Sequence, residues 1–222
     1  MTTRPVVTPA VAAELVGTAV LTTAVVGSGI MAERLAGGNA AIALLANAIA
    51  TGAALAVLIA VLGPVSGAHL NPLVSIASAW WGTIEAAEAA ARVAVQVLGA
   101  AAGVGVAHAM FGLPLLQGGT TVRADPGLWF SEFVATSGLV TVVRLCPPAL
   151  AAPVVSLYIV SAYWFTASTS FANPALTVAR SLTSTFTGIR PVDTVAFIGA
   201  QAAGAIAGIV LSAWLSRGEV EA

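Results

Sequence analysis

The sequence predicts an all-α membrane protein with six transmembrane helices and two half-membrane re-entrant helices, arranged as an inverted repeat. The first observation is composition: the 222 residues are 59% hydrophobic and only 8% charged, whereas soluble domains carry about 25% charged residues. The second is that long uncharged runs, such as 35–84 and 93–122, exceed the roughly 20 residues that span a bilayer as a helix. The third is an Asn-Pro pair that occurs twice in apolar sequence, at Asn71 and at Asn173.

The spans follow the uncharged runs in order along the chain. We expect them at about 10–31, 39–62, 86–110, 128–146, 150–166 and 193–215. Loops that contain Gly, Pro and charged residues separate them at 32–38, 112–127 and 184–192. The apolar N-terminal stretch could also be a secretory signal peptide, but Glu14 interrupts it and has a later counterpart in Glu132. We therefore interpret that stretch as the first span.

Three segments recur in the same order in the two halves of the chain. They are ELVGTAVL and EFVATSGLV, which begin at Glu14 and Glu132, the Asn-Pro segments HLNPLVSIA and FANPALTVA, and QVLGAAAG and QAAGAIAG, which begin at Gln96 and Gln201. We therefore expect a single domain over residues 1–222, built from one repeat at about 10–110 and a second at about 128–216. Three spans in each repeat is an odd number, so the two repeats must have opposite orientations in the membrane.

Two segments, 71–79 and 173–183, are too short to cross the bilayer. Asn is a favourable helix N-cap and Pro is tolerated at the first helical position, so each segment is predicted to be a half-helix that begins at its Asn. The irregular stretches GPVSGAH and TASTSF precede them. Inverted repeats bring the two helix starts together near the midplane, where irregular backbone is tolerated only inside protein or beside a water-filled cavity. A pore or substrate site is therefore expected. The alternative, that Asn-Pro merely breaks a long helix twice, leaves the matching Glu and Gln residues unexplained.

Several function classes lack support in the sequence. All eight basic residues are Arg and the net charge is −1, which does not favour a nucleic-acid surface. The single Cys146 excludes an internal disulfide and Cys-based metal sites, and the sequence has no nucleophile–base set or phosphate loop. We therefore expect no enzyme activity, no metal and no cofactor. Glu14 and Glu132 fall inside predicted spans, where acids serve either as proton relays or as buried supports.

The paired Asn-Pro boxes, together with the repeated Glu and Gln segments, resemble those of the aquaporin family, also called major intrinsic proteins, over essentially the whole chain. The resemblance implies a right-handed bundle of six tilted helices and two half-helices. It also implies a homotetramer with one pore per subunit in the cell's inner membrane, with both termini in the cytoplasm. The arginines show no bias to one side of the predicted membrane, so the orientation depends on the resemblance alone.

The same resemblance implies roles for residues around the boxes. Asn71 and Asn173 are expected to donate amide hydrogen bonds into the channel centre, where the half-helix dipoles add positive potential. Carbonyl groups are expected to face the pore from Gly67, Ala68, His69, Thr169 and Phe171. Structural support is expected from Glu14 and Glu132, which would hold loop amides, and from Gln96 and Gln201, which would bond half-helix or loop backbone. The His69 side chain is expected either to line the pore, where it could respond to pH, or to be a hydrogen-bonded scaffold group.

The expected selectivity filter departs from the family pattern. Most members have Arg directly after the second box, whereas this chain has Leu176. Counting back from the boxes by family spacing gives the other filter positions as Thr51, Ser161 and Ser170. These small hydroxyl residues imply a constriction that is wider and less cationic than in water-selective members. Arg180 follows Leu176 by four residues on the same helix face. It is expected either to reach the outer vestibule as a partial substitute, or to cap the half-helix and pair with a loop carboxylate or carbonyl.

These features imply a passive channel for small neutral solutes. The run NPALTVARSL resembles a bacterial subgroup associated with arsenic-resistance operons, which implies arsenite, methylated arsenicals or small polyols such as glycerol, with urea and water as co-permeants. One alternative is a water-selective channel. Another is a secondary active transporter, because inverted repeats with broken helices also build transporters. A closed, adhesive junction protein is a further alternative, which the small filter residues disfavour.

Overall fold

Eight α-helices make up most of residues 8–219, the part of the chain that the structure, a computed structural model, describes. The helices are α1 (Pro9–Leu35), α2 (Ala40–Ser66), α3 (Pro72–Trp80), α4 (Ala86–Met110), α5 (Pro126–Leu145), α6 (Ala151–Phe165), α7 (Pro174–Arg180) and α8 (Thr194–Leu215). Six segments are long and apolar enough to cross a membrane: α1, α2, α4, α5, and α6 and α8 together with the short 3-10 turns at Pro148–Leu150 and Pro191–Asp193 that precede them. The short α3 and α7 are the two half-helices. The predicted all-α membrane fold is therefore confirmed. Residues 1–7 and 220–222, which include both chain ends, lie outside the described range.

Side-chain caps mark the starts of three of the six long helices, α1, α2 and α5. Asn39 precedes α2, and its side-chain oxygen accepts hydrogen bonds from the amides of Ala41 at 3.0 Å and Ile42 at 3.1 Å. Asp125 caps α5 in the same way through the Gly127 amide, at 2.7 Å. These side chains satisfy amides that the first helical turn leaves without partners. The starts of all six long helices, with or without such a cap, lie within two residues of those expected from the sequence.

Helix α2 is longer than predicted. It continues to Ser66 with Pro64 inside its last turns, so only the end of the GPVSGAH stretch is irregular. Pro removes one helical hydrogen bond, a loss that neighbouring helices and side chains compensate in membrane proteins. The helix ends at Gly67, whose φ of 83° lies in the left-handed region that glycine commonly adopts after a helix C-terminus.

The helix pairs α1–α4 and α5–α8 pack through glycines that lie against the backbone of the facing helix. A Cβ at Gly99 on α4 would overlap the carbonyl oxygen of Leu15 on α1. In the same way, a Cβ at Gly204 on α8 would overlap the carbonyl oxygen of Phe133 on α5. Small residues permit this close approach of membrane helices. The two contacts are related by 118 residues on one helix and 105 on the other, the same offsets as the repeated Glu and Gln segments.

The half-helices α3 and α7 contact each other and both of the long helices α4 and α8. Short irregular segments, ending at Leu70 and Ala172, lead into them. The functional site is built where these two segments meet.

Candidate functional site

The two half-helices meet at their N-terminal ends, where each Asn side chain bonds the opposite segment. The carboxamide nitrogen of Asn71 donates to the carbonyl oxygen of Ala172 at 2.8 Å. The carboxamide nitrogen of Asn173 donates to the carbonyl oxygen of Leu70, also at 2.8 Å. This reciprocal pair joins residues 101 and 103 positions apart, and it brings both Asn-Pro boxes to one place in the bundle.

The side-chain oxygens of both Asn residues cap their own half-helices. Asn71 Oδ1 accepts from the Leu73 amide at 3.0 Å, and Asn173 Oδ1 accepts from the Ala175 amide at 3.0 Å. A carboxamide NH2 group carries two N–H donors, and one of them donates to the opposite segment. The second N–H of each Asn is therefore left for a molecule in the adjoining cavity, which both residues line.

Three residues of the irregular segment before each Asn have left-handed backbone. The φ angles are 83°, 48° and 50° for Gly67, Ala68 and Leu70, and 64°, 49° and 46° for Thr169, Ser170 and Ala172. Residues other than Gly rarely adopt this region, and each instance costs about 1–3 kcal/mol. The affected positions, four, three and one residues before the Asn, are the same in both segments. The surrounding structure must therefore hold this conformation.

Two buried carboxylates hold these segments. The donors are the amides of His69 and Leu70 for Glu14, at 2.9 and 2.6 Å, and the amides of Phe171 and Ala172 for Glu132, at 2.9 and 2.8 Å. Successive N–H groups in a locally alternating backbone form a concave anion site called a nest. Both acids are fully buried. Because backbone donors surround their oxygens, each carboxylate stabilises the strained segment that it contacts.

A glutamine in each half bonds side chains rather than the backbone expected for it. Each amide nitrogen donates to the supporting carboxylate and to a hydroxyl on the half-helix. The bonds run from Gln96 to Glu14 and Ser75, at 2.8 and 3.0 Å, and from Gln201 to Glu132 and Thr177, at 2.6 and 2.9 Å. Each Gln thus connects a long helix, a carboxylate and a half-helix. The two hydroxyl residues occupy the same position in the repeat, four residues after each Asn, a signal that the sequence analysis did not use.

A cavity of about 280 Å³ runs past the meeting point of the half-helices. Part of its wall is aliphatic, formed by residues such as Leu55, Val155 and Ile159. Another part is formed by the irregular segments and the two Asn side chains. The lining extends from Cys146, just after α5, to Arg180, in the last turn of α7. We refer to these as the Cys146 end and the Arg180 end of the cavity.

Four of the five residues from which pore carbonyls are expected line this cavity. They are Gly67, Ala68, His69 and Phe171. Thr169, which has a left-handed φ of 64°, does not line the cavity. Its neighbour Ser170 does.

Three of the four expected filter positions, Thr51, Ser170 and Leu176, line the cavity. Ser161 does not: it is exposed on the outside of the bundle, and its hydroxyl donates to the carbonyl of Tyr158 at 2.7 Å. The inward face of α6 instead carries Ile159 and Tyr163. A helix turns by about 100° per residue, so a position two residues from Tyr163 is rotated by about 200° from it. Ser161 therefore does not belong to the filter, contrary to the expectation from the sequence.

Tyr163 is a cavity residue that the sequence analysis missed. It is 4% exposed, and its hydroxyl donates to Thr51 Oγ1 at 3.3 Å. The available signal was the spacing of Val155, Ile159 and Tyr163, each four residues apart on one face of α6. A tyrosine in that stripe places a polar group at the end of an apolar side chain.

Arg180 reaches the cavity from the last turn of α7. It is only 3% exposed, its Nε donates to the carbonyl of Thr187, and its guanidinium carbon lies 3.3 Å from the centre of the Phe171 ring. The expected pairing with a loop carbonyl is therefore present, yet the side chain still lines the cavity. The expectation of a less cationic constriction is corrected, because a guanidinium lies at the same end of the cavity as Leu176.

Hydrogen-bonding groups surround the His69 ring. Its Nδ1 lies 3.1 Å from Ser75 Oγ and 3.3 Å from a terminal nitrogen of Arg92, and its Nε2 lies 3.3 Å from Ser78 Oγ. Arg92 also pairs with Glu88 at 2.6 Å. These contacts favour the scaffold role for the ring. Arg92 was not predicted, although its spacing of four residues from Glu88 is typical of a helical ion pair.

Comparison with known proteins gives the family. The family model described as "Major intrinsic protein" matches residues 1–151. The chain is 51% identical over 210 residues to aquaglyceroporin AqpS of Rhizobium meliloti (strain 1021), covering 91% of this chain and 88% of that protein. It is 34% identical over 132 residues to probable aquaporin NIP7-1 of Arabidopsis thaliana, covering 57% of this chain and 46% of that one.

A solved structure has the same fold. The X-ray structure of the aquaglyceroporin from Plasmodium falciparum superposes with a TM-score of 0.67 at 22% identity, covering 93% of this chain and 94% of that one. The six apolar helices, the two half-helices and the family match therefore agree. The chain belongs to the major intrinsic protein family, and it is a membrane channel for small neutral solutes.

Proposed function

We propose that this channel conducts neutral solutes that carry two or three hydroxyl groups. Glycerol and arsenite, As(OH)3, represent the class, with methylated arsenicals and water as further permeants. Flow is passive and follows the gradient of the solute. The cavity between the Cys146 end and the Arg180 end is the conduit.

The observation that supports this proposal most directly is the two-sided wall of the cavity. On one side, Asn71 and Asn173 each keep one N–H for a molecule in the cavity. On the other side, Leu55, Val155 and Ile159 present only carbon. A solute with hydroxyls on one side and a weakly hydrated face on the other can exchange water for these donors and place its other face against the aliphatic wall.

The cavity has room for several water-sized molecules at once. Its volume is about 280 Å³, and one water molecule occupies roughly 30 Å³ in the liquid. Thr51 and Ser170 add two small hydroxyl side chains at the Arg180 end. A polyol can hydrogen-bond there without bringing a charge into the membrane.

The relatives support the same class of solute. The R. meliloti protein is described as an aquaglyceroporin, and the run NPALTVAR resembles the bacterial subgroup associated with arsenic-resistance operons. Glycerol and arsenite are both small, neutral and trihydroxylated. A conduit that recognises hydroxyls by hydrogen bonding, and not by charge, would admit both.

The structure gives no support to ion-coupled transport through the intramembrane acids. Glu14 and Glu132 do not line the cavity, and their oxygens accept hydrogen bonds from loop amides and Gln side chains. Protonating either carboxylate would weaken the bonds that hold the strained segments. We therefore infer uncoupled flow, which predicts the same solute influx with and without an ion gradient.

We also infer a homotetramer in the inner membrane with both termini in the cytoplasm. The family resemblance supports this assembly and orientation, and the cavity forms within one chain, as expected for one pore per subunit. Native mass spectrometry in detergent would report the number of subunits. Protease protection of tags at each terminus would report their side of the membrane.

Stopped-flow light scattering on vesicles that contain the purified protein tests the solute class. Sucrose, glycerol, urea and arsenite are applied in turn, and protein-free vesicles are the control. We expect rapid shrinkage in every solute, followed by re-swelling in glycerol and arsenite that is faster than in the control. Shrinkage without re-swelling in all of them would instead support the water-selective alternative, and influx that requires an ion gradient would support a transporter.

A further inference from the structure

Within the described residues 8–219, the cavity lining contains one arginine, Arg180, and no Asp or Glu. Its Nε donates to the Thr187 carbonyl. Neither of its terminal nitrogens donates to a protein acceptor in that range, and no carboxylate lies within ion-pair distance of it there. A guanidinium carries five N–H donors in a planar fork, so four donors remain for a molecule in the cavity. Leaving such donors without partners in a buried side chain is costly.

The surroundings of Arg180 fix its guanidinium at one end of the path. Phe171 stacks on it, with 3.3 Å between the guanidinium carbon and the ring centre, and the Thr187 carbonyl holds its Nε. Ser170, next to Phe171, also lines the cavity and has a buried hydroxyl with no protein partner. A free donor fork and a free hydroxyl therefore lie together at the Arg180 end.

The Cys146 end has no equivalent group. The position 102 residues before Arg180 is Ser78, which does not line the cavity and contacts the His69 ring instead. The two repeats thus differ where their half-helices end. A positive charge is present at one end of a path that is otherwise lined by neutral groups and the His69 residue.

A second arginine shows that stacking on Phe171 is not enough to reach the path. Arg123 lies over the same ring, 4.9 Å from its centre, but does not line the cavity. Its Nε and one terminal nitrogen donate to the carbonyls of Gly188 and Ser168, at 3.0 and 3.4 Å. Burial lowers the pKa of this loop guanidinium, an effect that Glu132 opposes. Arg123 therefore connects loops through its hydrogen bonds, whereas the terminal nitrogens of Arg180 remain available to bond a molecule in the cavity.

We propose that Arg180 is the specificity-determining residue at this end of the conduit: it excludes cations, including protons, and donates paired hydrogen bonds to the oxygens of passing solutes. Like charges repel strongly in a low-dielectric site, which accounts for the exclusion. The planar fork presents two parallel donors to a solute with neighbouring oxygens. The solute part of the inference rests on the proposed function, whereas the cation part does not.

Three variants and one control test the inference in vesicles. Arg180→Met removes the charge and the fork, and Arg180→Lys keeps the charge but loses the fork. Arg180→Met combined with Leu176→Arg returns a guanidinium to the same face of α7, one turn earlier. Arg34→Met is the control, since Arg34 also lies over a ring, 5.1 Å from the centre of Phe111, but is exposed and away from the cavity. A pH-sensitive dye and a Na⁺-sensitive dye report cation entry, and light scattering reports water, glycerol and arsenite.

The expected pattern separates the two roles. Arg180→Met raises proton and Na⁺ entry by about tenfold or more and lowers the ratio of glycerol to water permeability. Arg180→Lys keeps cations out but shows the same fall in the ratio, and the double variant excludes cations again. Arg34→Met behaves as the parent protein. Size-exclusion profiles of each variant monitor assembly.

Two outcomes would overturn the inference. The first is an Arg180→Met protein with unchanged cation entry and unchanged solute ratio. The second is a set in which Lys and Met variants fail alike and Leu176→Arg gives no rescue, which would mean that Arg180 only supports the fold. If the parent protein conducts neither glycerol nor arsenite but Arg180→Met still admits cations, the proposed function fails while the exclusion role remains.

Discussion

The Asn71 carboxamide and the Ala172 carbonyl share a 2.8 Å hydrogen bond that joins the two halves of the chain beside the cavity. Asn71 also caps α3 through its Oδ1, so one side chain organises a half-helix, fixes the opposite segment and presents an N–H to the conduit. These three contributions can be separated by a substitution that keeps the cap and removes the donors.

Asn71→Asp is expected to retain the cap, because Asp is also a good N-cap, but to lose the bond to Ala172 and the free N–H. A carboxylate beside that carbonyl should lower the free energy of unfolding by about 2–3 kcal/mol and draw cations into the path. Thermal unfolding in detergent and Na⁺ entry into vesicles are the measurements. Asn39→Asp is the matched control, since Asn39 caps α2 on the exposed surface. Equal effects of the two substitutions would contradict a special role for Asn71.

Tyr163→Phe and Ser161→Ala test the corrected filter. Tyr163 presents its hydroxyl at the Arg180 end and bonds Thr51, so its removal should lower the ratio of glycerol to water permeability. One hydrogen bond has a net value of about 1 kcal/mol, equivalent to a change of about fivefold. Ser161 is exposed and bonds only its own helix, so Ser161→Ala should leave the ratio unchanged. Light scattering measures both, and the opposite result would return Ser161 to the filter.

The number and order of the helices could be predicted from the sequence, because the signals for them are local and occur in both repeats. Uncharged runs locate the spans, Asn and Asp residues mark helix starts, and the Asn-Pro boxes mark the half-helices. The predicted end of α2, at about residue 62, was too early. The helix continues through Pro64 to Ser66, because a single proline near the end of a membrane helix removes only one hydrogen bond. The end is set instead by the left-handed conformation of Gly67.

The residues that line the Arg180 end were harder to predict from the sequence, for two physical reasons. Counting residues back from a box fixes a position along the chain but not its rotation about the helix axis, and an error of two residues moves a side chain from the cavity to the outside, as with Ser161 and Tyr163. The stacking of Arg180 on Phe171 depends on how the irregular segment folds back on α7. No periodic pattern records a contact of that kind.

Cys146 offers a direct test of the path, because it is the only cysteine of the chain and lies at one end of the cavity. Modification by a methanethiosulfonate reagent should place bulk in that mouth and reduce glycerol permeability by about half or more, since a partly exposed thiol is open to such reagents. Dithiothreitol should restore the flux, and Cys146→Ser should be insensitive. Mass spectrometry establishes the extent of modification. Complete modification with unchanged flux would mean that solutes do not pass Cys146.

Two glycines on α8 allow the effect of the close α5–α8 contact on stability to be separated from the effect of helix propensity. A Cβ at Gly204 would overlap the Phe133 carbonyl oxygen on α5, whereas a Cβ at Gly199 meets nothing within 4 Å. Gly204→Ala must therefore push apart two backbones, at a cost of about 1–3 kcal/mol. Gly199→Ala gains up to about 1 kcal/mol from the better helix propensity of Ala.

Thermal unfolding of the two variants in detergent should therefore shift in opposite directions, down for Gly204→Ala and up or unchanged for Gly199→Ala. Because α8 also carries Gln201, which bonds the Glu132 carboxylate at 2.6 Å, separation of α5 and α8 should loosen the segment before Asn173 and reduce solute permeability together with stability. A stable Gly204→Ala protein with full permeability would show that the α5–α8 contact does not position the second half-helix.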